Sequence, residues 1–238
     1  NEINRMICIG MLIKKAMKGH VDLLGPAMKV QEELMGIPSF DTPDFSAPLS
    51  QEKAIIKNLK KVFLMVAGAG IQKFGPKIEE HQQLMLHAAD ILIEIYMAES
   101  ALLRTQKNCN RYGKESQKGQ IAMSQLYLYQ AVDIVQSKGK EVIISFSEGD
   151  EQKGLLMGLK RFTKYYDFPN VMDLRNIIAE KLKKDSYREI SLVENPDLVA
   201  QISQQKRKQI IVGFAAETSL NVAEANRKLI AKGLDLIY

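Results

Sequence analysis

Over the first 184 residues apolar side chains recur at helical spacing. From Asn195 onward that period gives way to a short β-branched run, a small-residue turn and one more helix. This change constrains the fold more than composition does, because a 3.6-residue repeat and an extended run demand different neighbours. Residues 2–18 set Ile3, Met6, Ile7, Gly10, Met11, Ile13 and Met17 at near-helical spacing. Lys14, Lys15 and Lys18 close that helix, where its dipole favours cations. A second helix is expected over 22–35. "GIPSFDTPDFSAPLSQ" carries three prolines and no period, and reads as a loop. Ser50 is placed as the N-cap of a long segment reaching about Phe74. "GPKIEEH" then restarts the helix with Pro76 at a tolerated first-turn position.

The stretch 84–103, "LMLHAADILIEIYMAESALL", is apolar on nearly every side and is expected to be nearly buried at the centre of a bundle. Asp90, Glu94 and Glu99 interrupt it. His87, Asp90 and Glu94 share a face at a spacing that could offer metal ligands. A carboxylate-bridged di-metal bundle would want Glu-x-x-His pairs, which the stretch lacks, so a polar seam answered by neighbouring helices is favoured. Further helices are expected over 114–136, 151–166 and 171–184. Beyond them, "NPDLVAQIS" reads as a capped helix with proline at its first position. "KQIIVGF" reads as a buried strand, 219–232 as an amphipathic helix that Ser219 can cap, and "LDLIY" as a second strand. Strand, helix, strand is a parallel crossover. The expected fold is therefore mainly α, a helical bundle followed by a small, incomplete α/β segment.

Composition bears on partners. The chain is 46% hydrophobic and 26% charged, as in ordinary globular proteins, and its net charge of +5 is spread along the helices. A nucleic-acid binder would gather that charge into one basic stripe, so nucleic acid is not an expected partner. Lys14, Lys15 and Lys18 are better explained as a solvated helix end than as a contact with a membrane surface. Cys8 and Cys109 stand far apart, which argues against a disulfide framework and for a reducing, cytoplasmic setting. No run of eighteen apolar residues suggests a membrane span.

Two stretches resemble known families. "NEINRM", with the order of helices after it and "EEHQQLMLHAADILIEIYMAESALLRTQK", resembles the C-terminal helical region of acyl-CoA dehydrogenases, in particular the very-long-chain branch. Asn1 to Arg5 match the second half of that family's E-G-T-N-E-I-x-R stretch. The resemblance covers residues 1–184. It implies an FAD-dependent enzyme that takes a proton and a hydride from the α and β carbons of an acyl-CoA thioester. It also implies a homo-oligomeric parent. The base is the Glu of E-G-T, which lies outside the 238 residues, so this chain is expected to lack it and to be inactive alone. Glu2 falls where the family often places a Gln or Glu near FAD. Arg5, one turn on, is expected in a surface or intersubunit salt bridge.

"ISLVENPDLVAQIS", "IIVGFAAET" and "RKLIAKGLDLIY", in that order, resemble the phosphopantothenoylcysteine synthetase part of the coenzyme A biosynthesis bifunctional protein, over 185–238. The resemblance implies a site for CTP, with magnesium, to which Gly213, Phe214, Ala215, Ala216 and Lys228 correspond. Small residues at a strand end admit phosphate close to the backbone, and a lysine on the next helix can neutralise it. Lys181, Lys183 and Lys184 fit either a helix end or a remnant of that family's K-I-K-K motif, and the helical run before them favours the helix end. Three readings follow. The first is a dehydrogenase C-terminal portion. The others are a fragment of a CTP-dependent phosphopantothenate–cysteine ligase fused to a helical module, and a non-enzymatic helical oligomerisation module.

Overall fold

The computed structural model describes residues 2–36, 45–184, 197–214 and 222–237. The chain divides into two compact units, Asn1–Ser186 and Tyr187–Tyr238. The first is all helix among its described residues. Its elements are α1 (Glu2–Met17), α2 (Leu24–Met35), α3 (Ser50–Phe74), α4 (Gln82–Tyr112), α5 (Lys118–Phe146), α6 (Gly149–Phe162) and α7 (Val171–Lys184). Helices α3, α4 and α5 pack on one another, with α1 against α4, α2 against α3, α6 against α3 and α5, and α7 against α5.

The core follows from the helical repeat. On α3, Ile55, Leu59, Val62 and Val66 line one stripe, each almost fully buried. On α5, Leu128, Ala131, Val135, Val142 and Ile143 do the same. Small residues set the closest approaches. A methyl group on Gly68 of α3 would stand 2.9 Å from Ala27 Cβ of α2, and one on Gly139 of α5 would stand 2.9 Å from Leu159 Cδ1 of α6.

Several local expectations change. Leu49, not Ser50, holds the N-cap of α3, with φ 59°, and the Ser50 hydroxyl donates to the Ala47 carbonyl oxygen at 2.6 Å. "GPKIEEH" forms a 3₁₀ turn, Gly75–Glu80, before α4 begins. Helix α5 continues past Gln136 to Phe146. It stops where the Ser147 hydroxyl folds back onto the Ile143 carbonyl oxygen and Gly149, at φ 59°, turns the chain into α6. The expected near-burial of 84–103 is half right. Ala88, Ile91, Ile95, Ala98 and Leu102 are buried, whereas Ile93, Tyr96, Met97 and Leu103 are exposed. Helices α1, α3 and α5 cover one side of α4, and an all-round apolar sequence does not say how many sides a bundle will cover. No helix among the described residues is long and apolar enough to cross a membrane.

The second unit contains α8 (Leu198–Gln205), β1 (Val212–Gly213), α9 (Val222–Lys232) and β2 (Leu236–Ile237). The two strands are parallel, Val212 opposite Leu236 and Gly213 opposite Ile237, as the crossover reading requires. Asp197 caps α8 by accepting from the Ala200 N–H at 3.0 Å, a cap two residues later than the sequence suggested. Gly233, at φ 62°, ends α9, with Leu234 N–H returning to the Leu229 carbonyl oxygen. The expected buried strand is instead two residues long and exposed, with Ile210 at 76% and Val212 at 42%. A two-stranded sheet with one crossover helix has too little structure to cover both its faces. The capping role expected of Ser219 lies outside the described residues.

Candidate functional site

His87, Asp90, Glu94 and Glu99 of α4 are answered from three neighbouring helices, α1, α3 and α5. Arg5 Nη1 of α1 donates to Asp90 Oδ1 at 2.6 Å, and Lys60 Nζ of α3 donates to Glu99 Oε1 at 2.6 Å. The Tyr127 hydroxyl of α5 donates to Glu94 Oε2 at 2.8 Å, and His87 Nε2 lies 3.1 Å from Glu141 Oε2, also of α5. Burial, then the neighbouring Glu94 carboxylate, push the Tyr127 hydroxyl up to about 12, so it stays a donor at neutral pH. Lys138 holds Glu141 below the usual carboxylate range. This is the polar seam. Among the described residues no group of three His, Cys, Asp or Glu stands at metal-binding distances. Arg5, expected in a surface or intersubunit bridge, is committed within the chain.

Glu2 lies exposed in the first turn of α1. It lines neither the cleft described below nor the small apolar pocket between α1, α3 and α4. In the second unit, Gly213 sits where an added methyl would meet Leu234 Cδ1 at 2.5 Å, so close packing alone accounts for this glycine. Phe214 is 85% exposed. Lys228 lies 4.0 Å from Glu224, whose carboxylate also takes two hydrogen bonds from Arg227. Ala215 and Ala216 lie outside the described residues. Asp235 accepts from Lys206 Nζ at 2.8 Å and from the Ile211 N–H at 2.9 Å, and both, with Lys206 foremost, lower its pKa. Lys181 lays its stem across Gly119 of α5, which fits a packed helix end.

One cavity escaped the sequence reading. Between the first turns of α3 and α7 and the side of α5 lies a cleft of about 300 Å³, lined by Gln51, Glu52, Gln125, Tyr165, Asp167, Phe168, Pro169, Asn170, Asp173 and Leu174. Gln51 holds the Asp167 backbone at both its N–H (2.7 Å) and its carbonyl oxygen (3.1 Å), tying α3 to the segment before α7. Glu52 is 7% exposed and accepts from Gln125 Nε2 at 2.6 Å. In sequence it is an ordinary first-turn acid, and nothing local signals its burial.

Comparison with known proteins divides the chain similarly. Residues 58–161 match the acyl-CoA dehydrogenase C-terminal domain family, and residues 171–238 match the DNA/pantothenate metabolism flavoprotein C-terminal domain family. A probable acyl-CoA dehydrogenase of Bacillus subtilis is 36% identical over 164 residues, 69% of this chain and 27% of that protein. The coenzyme A biosynthesis bifunctional protein CoaBC of Borreliella burgdorferi is 42% identical over 67 residues, 26% of this chain and 17% of that protein. Among solved structures, an acyl-CoA dehydrogenase of Bacillus anthracis complexed with FAD superposes with a TM-score of 0.72 at 34% identity, over 80% of this chain and 31% of that one. The chain thus spans under a third of each of these proteins. It carries, in succession, an acyl-CoA dehydrogenase C-terminal helical segment and a segment of the pantothenate-metabolism flavoprotein C-terminal family.

Proposed function

We propose that this chain is the C-terminal portion of an FAD-dependent acyl-CoA dehydrogenase acting in fatty-acid β-oxidation, a cytoplasmic enzyme whose catalytic base lies outside these 238 residues. The observation that carries the reading is the agreement of fold and sequence with an FAD-complexed dehydrogenase over 80% of the chain. No catalytic step is assigned to these residues, because the base that the reading requires lies outside them. We place the boundary between its two parts after α7, at residue 184. Helix α7 packs on α5, although the second family match begins at residue 171. Association of the parent into a homo-oligomer belongs to the same reading, and the exposed Ile93, Tyr96 and Met97 face is a surface it could use. The expected result is that residues 1–238 alone do not oxidise acyl-CoA with an artificial acceptor. The same chain preceded by the E-G-T-bearing domains should be yellow and active. Turnover by the short chain above a heat-killed control would overturn the assignment of the base, and a colourless, inactive long chain would overturn the dehydrogenase reading.

A second reading, a fragment of a CTP-dependent ligase, is favoured by the match over 171–238 and by the parallel crossover itself. A nucleotide site needs several strand ends converging on one crevice, and the described second unit contributes β1 and β2 only. Calorimetric titration with CTP and magnesium should give at best millimolar affinity, about −4 kcal/mol. Micromolar binding that disappears in Lys228→Ala would promote the ligase reading instead.

A further inference from the structure

The cleft between α3, α5 and α7 is lined by neutral amides and acidic residues. Glu52, Asp167 and Asp173 put three acidic residues on its lining, and among the described residues no lysine, arginine or histidine lines it. Glu52 is the unusual one. It is almost fully buried, its hydrogen-bond donor is the neutral Gln125 amide, and among the described residues no ion pair reaches it. A buried carboxylate ordinarily has a cation or several donors, because desolvating its charge is costly. The N-terminal dipoles of α3 and α7 supply roughly half a positive charge each, which offsets only part of three negative ones. Asp173 accepts from Asn170 Nδ2 at 2.6 Å, and the exposed Asp167 is held through its backbone.

Two aromatic residues complete the lining. Tyr165 is 6% exposed, and its hydroxyl is buried without a hydrogen-bond partner among the described residues. Phe168 stacks on Tyr165 with centroids 5.4 Å apart and an interplanar angle of 25°, and is itself 75% exposed. A counter-ion-poor carboxylate, an unmatched hydroxyl oxygen and an aromatic face around about 300 Å³ suit one ligand class. We propose that this cleft binds a small organic ammonium ion, with Glu52 as its counter-ion, Asp173 at the rim and Phe168 against its carbon chain. Anionic ligands are opposed by all three carboxylates, and the spacing of those carboxylates does not suit a metal ion.

The test uses 1,4-diaminobutane, with 1,4-butanediol as a neutral probe of the same length, titrated into the full chain and followed by amide NMR. The diamine should give saturable shifts at the Gln125 side-chain amide and at the Asp167 and Asp173 backbone, and the diol none. Glu52→Gln should weaken binding at least about tenfold, one factor of ten per 1.4 kcal/mol. Asp173→Asn, at an exposed position, should weaken it severalfold, and it decides the matter if Glu52→Gln does not fold. Equal response to the diol, no saturable shift at tens of millimolar, or unchanged affinity in a folded variant would each overturn the proposal.

Discussion

Gly68 illustrates how a single position can balance two opposed effects. Replacing a mid-helix glycine by alanine normally stabilises a helix by about 0.8–1.0 kcal/mol. Here the new methyl would stand 2.9 Å from Ala27 Cβ, an atom fixed to the backbone of α2 that cannot rotate away. Overpacking of that kind costs about 1–3 kcal/mol. Gly68→Ala is therefore expected to lower stability by up to about 2 kcal/mol in urea unfolding, and a gain would mean that α2 yields easily. The partners of α4 make the same point for polar residues. Asp90, Glu94 and Glu99 are tolerable in an apolar helix because Arg5, Tyr127 and Lys60 arrive from three different neighbours.

At the level of elements, α4 is two-faced, and the two faces should respond differently to truncation. Ile91 is fully buried, while Leu92, the next residue, is half-buried against the core. Ile91→Ala should cost about 2–5 kcal/mol, as large-to-small changes in packed cores do. Leu92→Ala should cost clearly less, because part of its surface is already in water. Thermal or denaturant unfolding of the pair checks this, and equal losses would show that α4 is covered on more sides. Strand β1 shows the converse. Its β-branched Val212 has the extended propensity expected, yet with one partner strand it remains 42% exposed.

Across the whole molecule, the two units are held by different forces. The apolar core of the first draws on α1 to α6 together, whereas Leu234 is the buried apolar residue among the described part of the second. The second unit relies instead on polar links, Asp197 to Lys232 at 3.3 Å and Asp235 to Lys206 and the Ile211 N–H. Both aspartates have folded pKa values lowered from 3.8, Asp197 chiefly by its cap to Ala200 and Asp235 chiefly by Lys206. A lowered carboxylate contributes stability that is complete above its unfolded pKa and is lost as pH falls through the folded value. Amide-exchange protection over 197–237 should therefore decline as pH drops below about 4, the unfolded aspartate value. Undiminished protection at pH 2 would show that these links are incidental. As both carboxylates are exposed, added salt should also weaken them.

Helix α7 and the long α3 match their sequence-based bounds because helical periodicity is a property of adjacent residues, even though Leu49 and not Ser50 takes the cap of α3. The strand-helix-strand order after Asn195, and the resemblance of each half to its own family, rest on that same local information. Burial does not. Which side of α4 faces water, why Gly213 must lack a side chain beside Leu234, and how a first-turn acid such as Glu52 becomes enclosed all depend on residues distant in sequence. Glu52 and Gln125 stand 73 positions apart, and no helical repeat encodes their meeting. Local sequence determined where the chain could be helix or strand. Only the packing of those elements decided which polar groups left water, because desolvation is set by every neighbour at once.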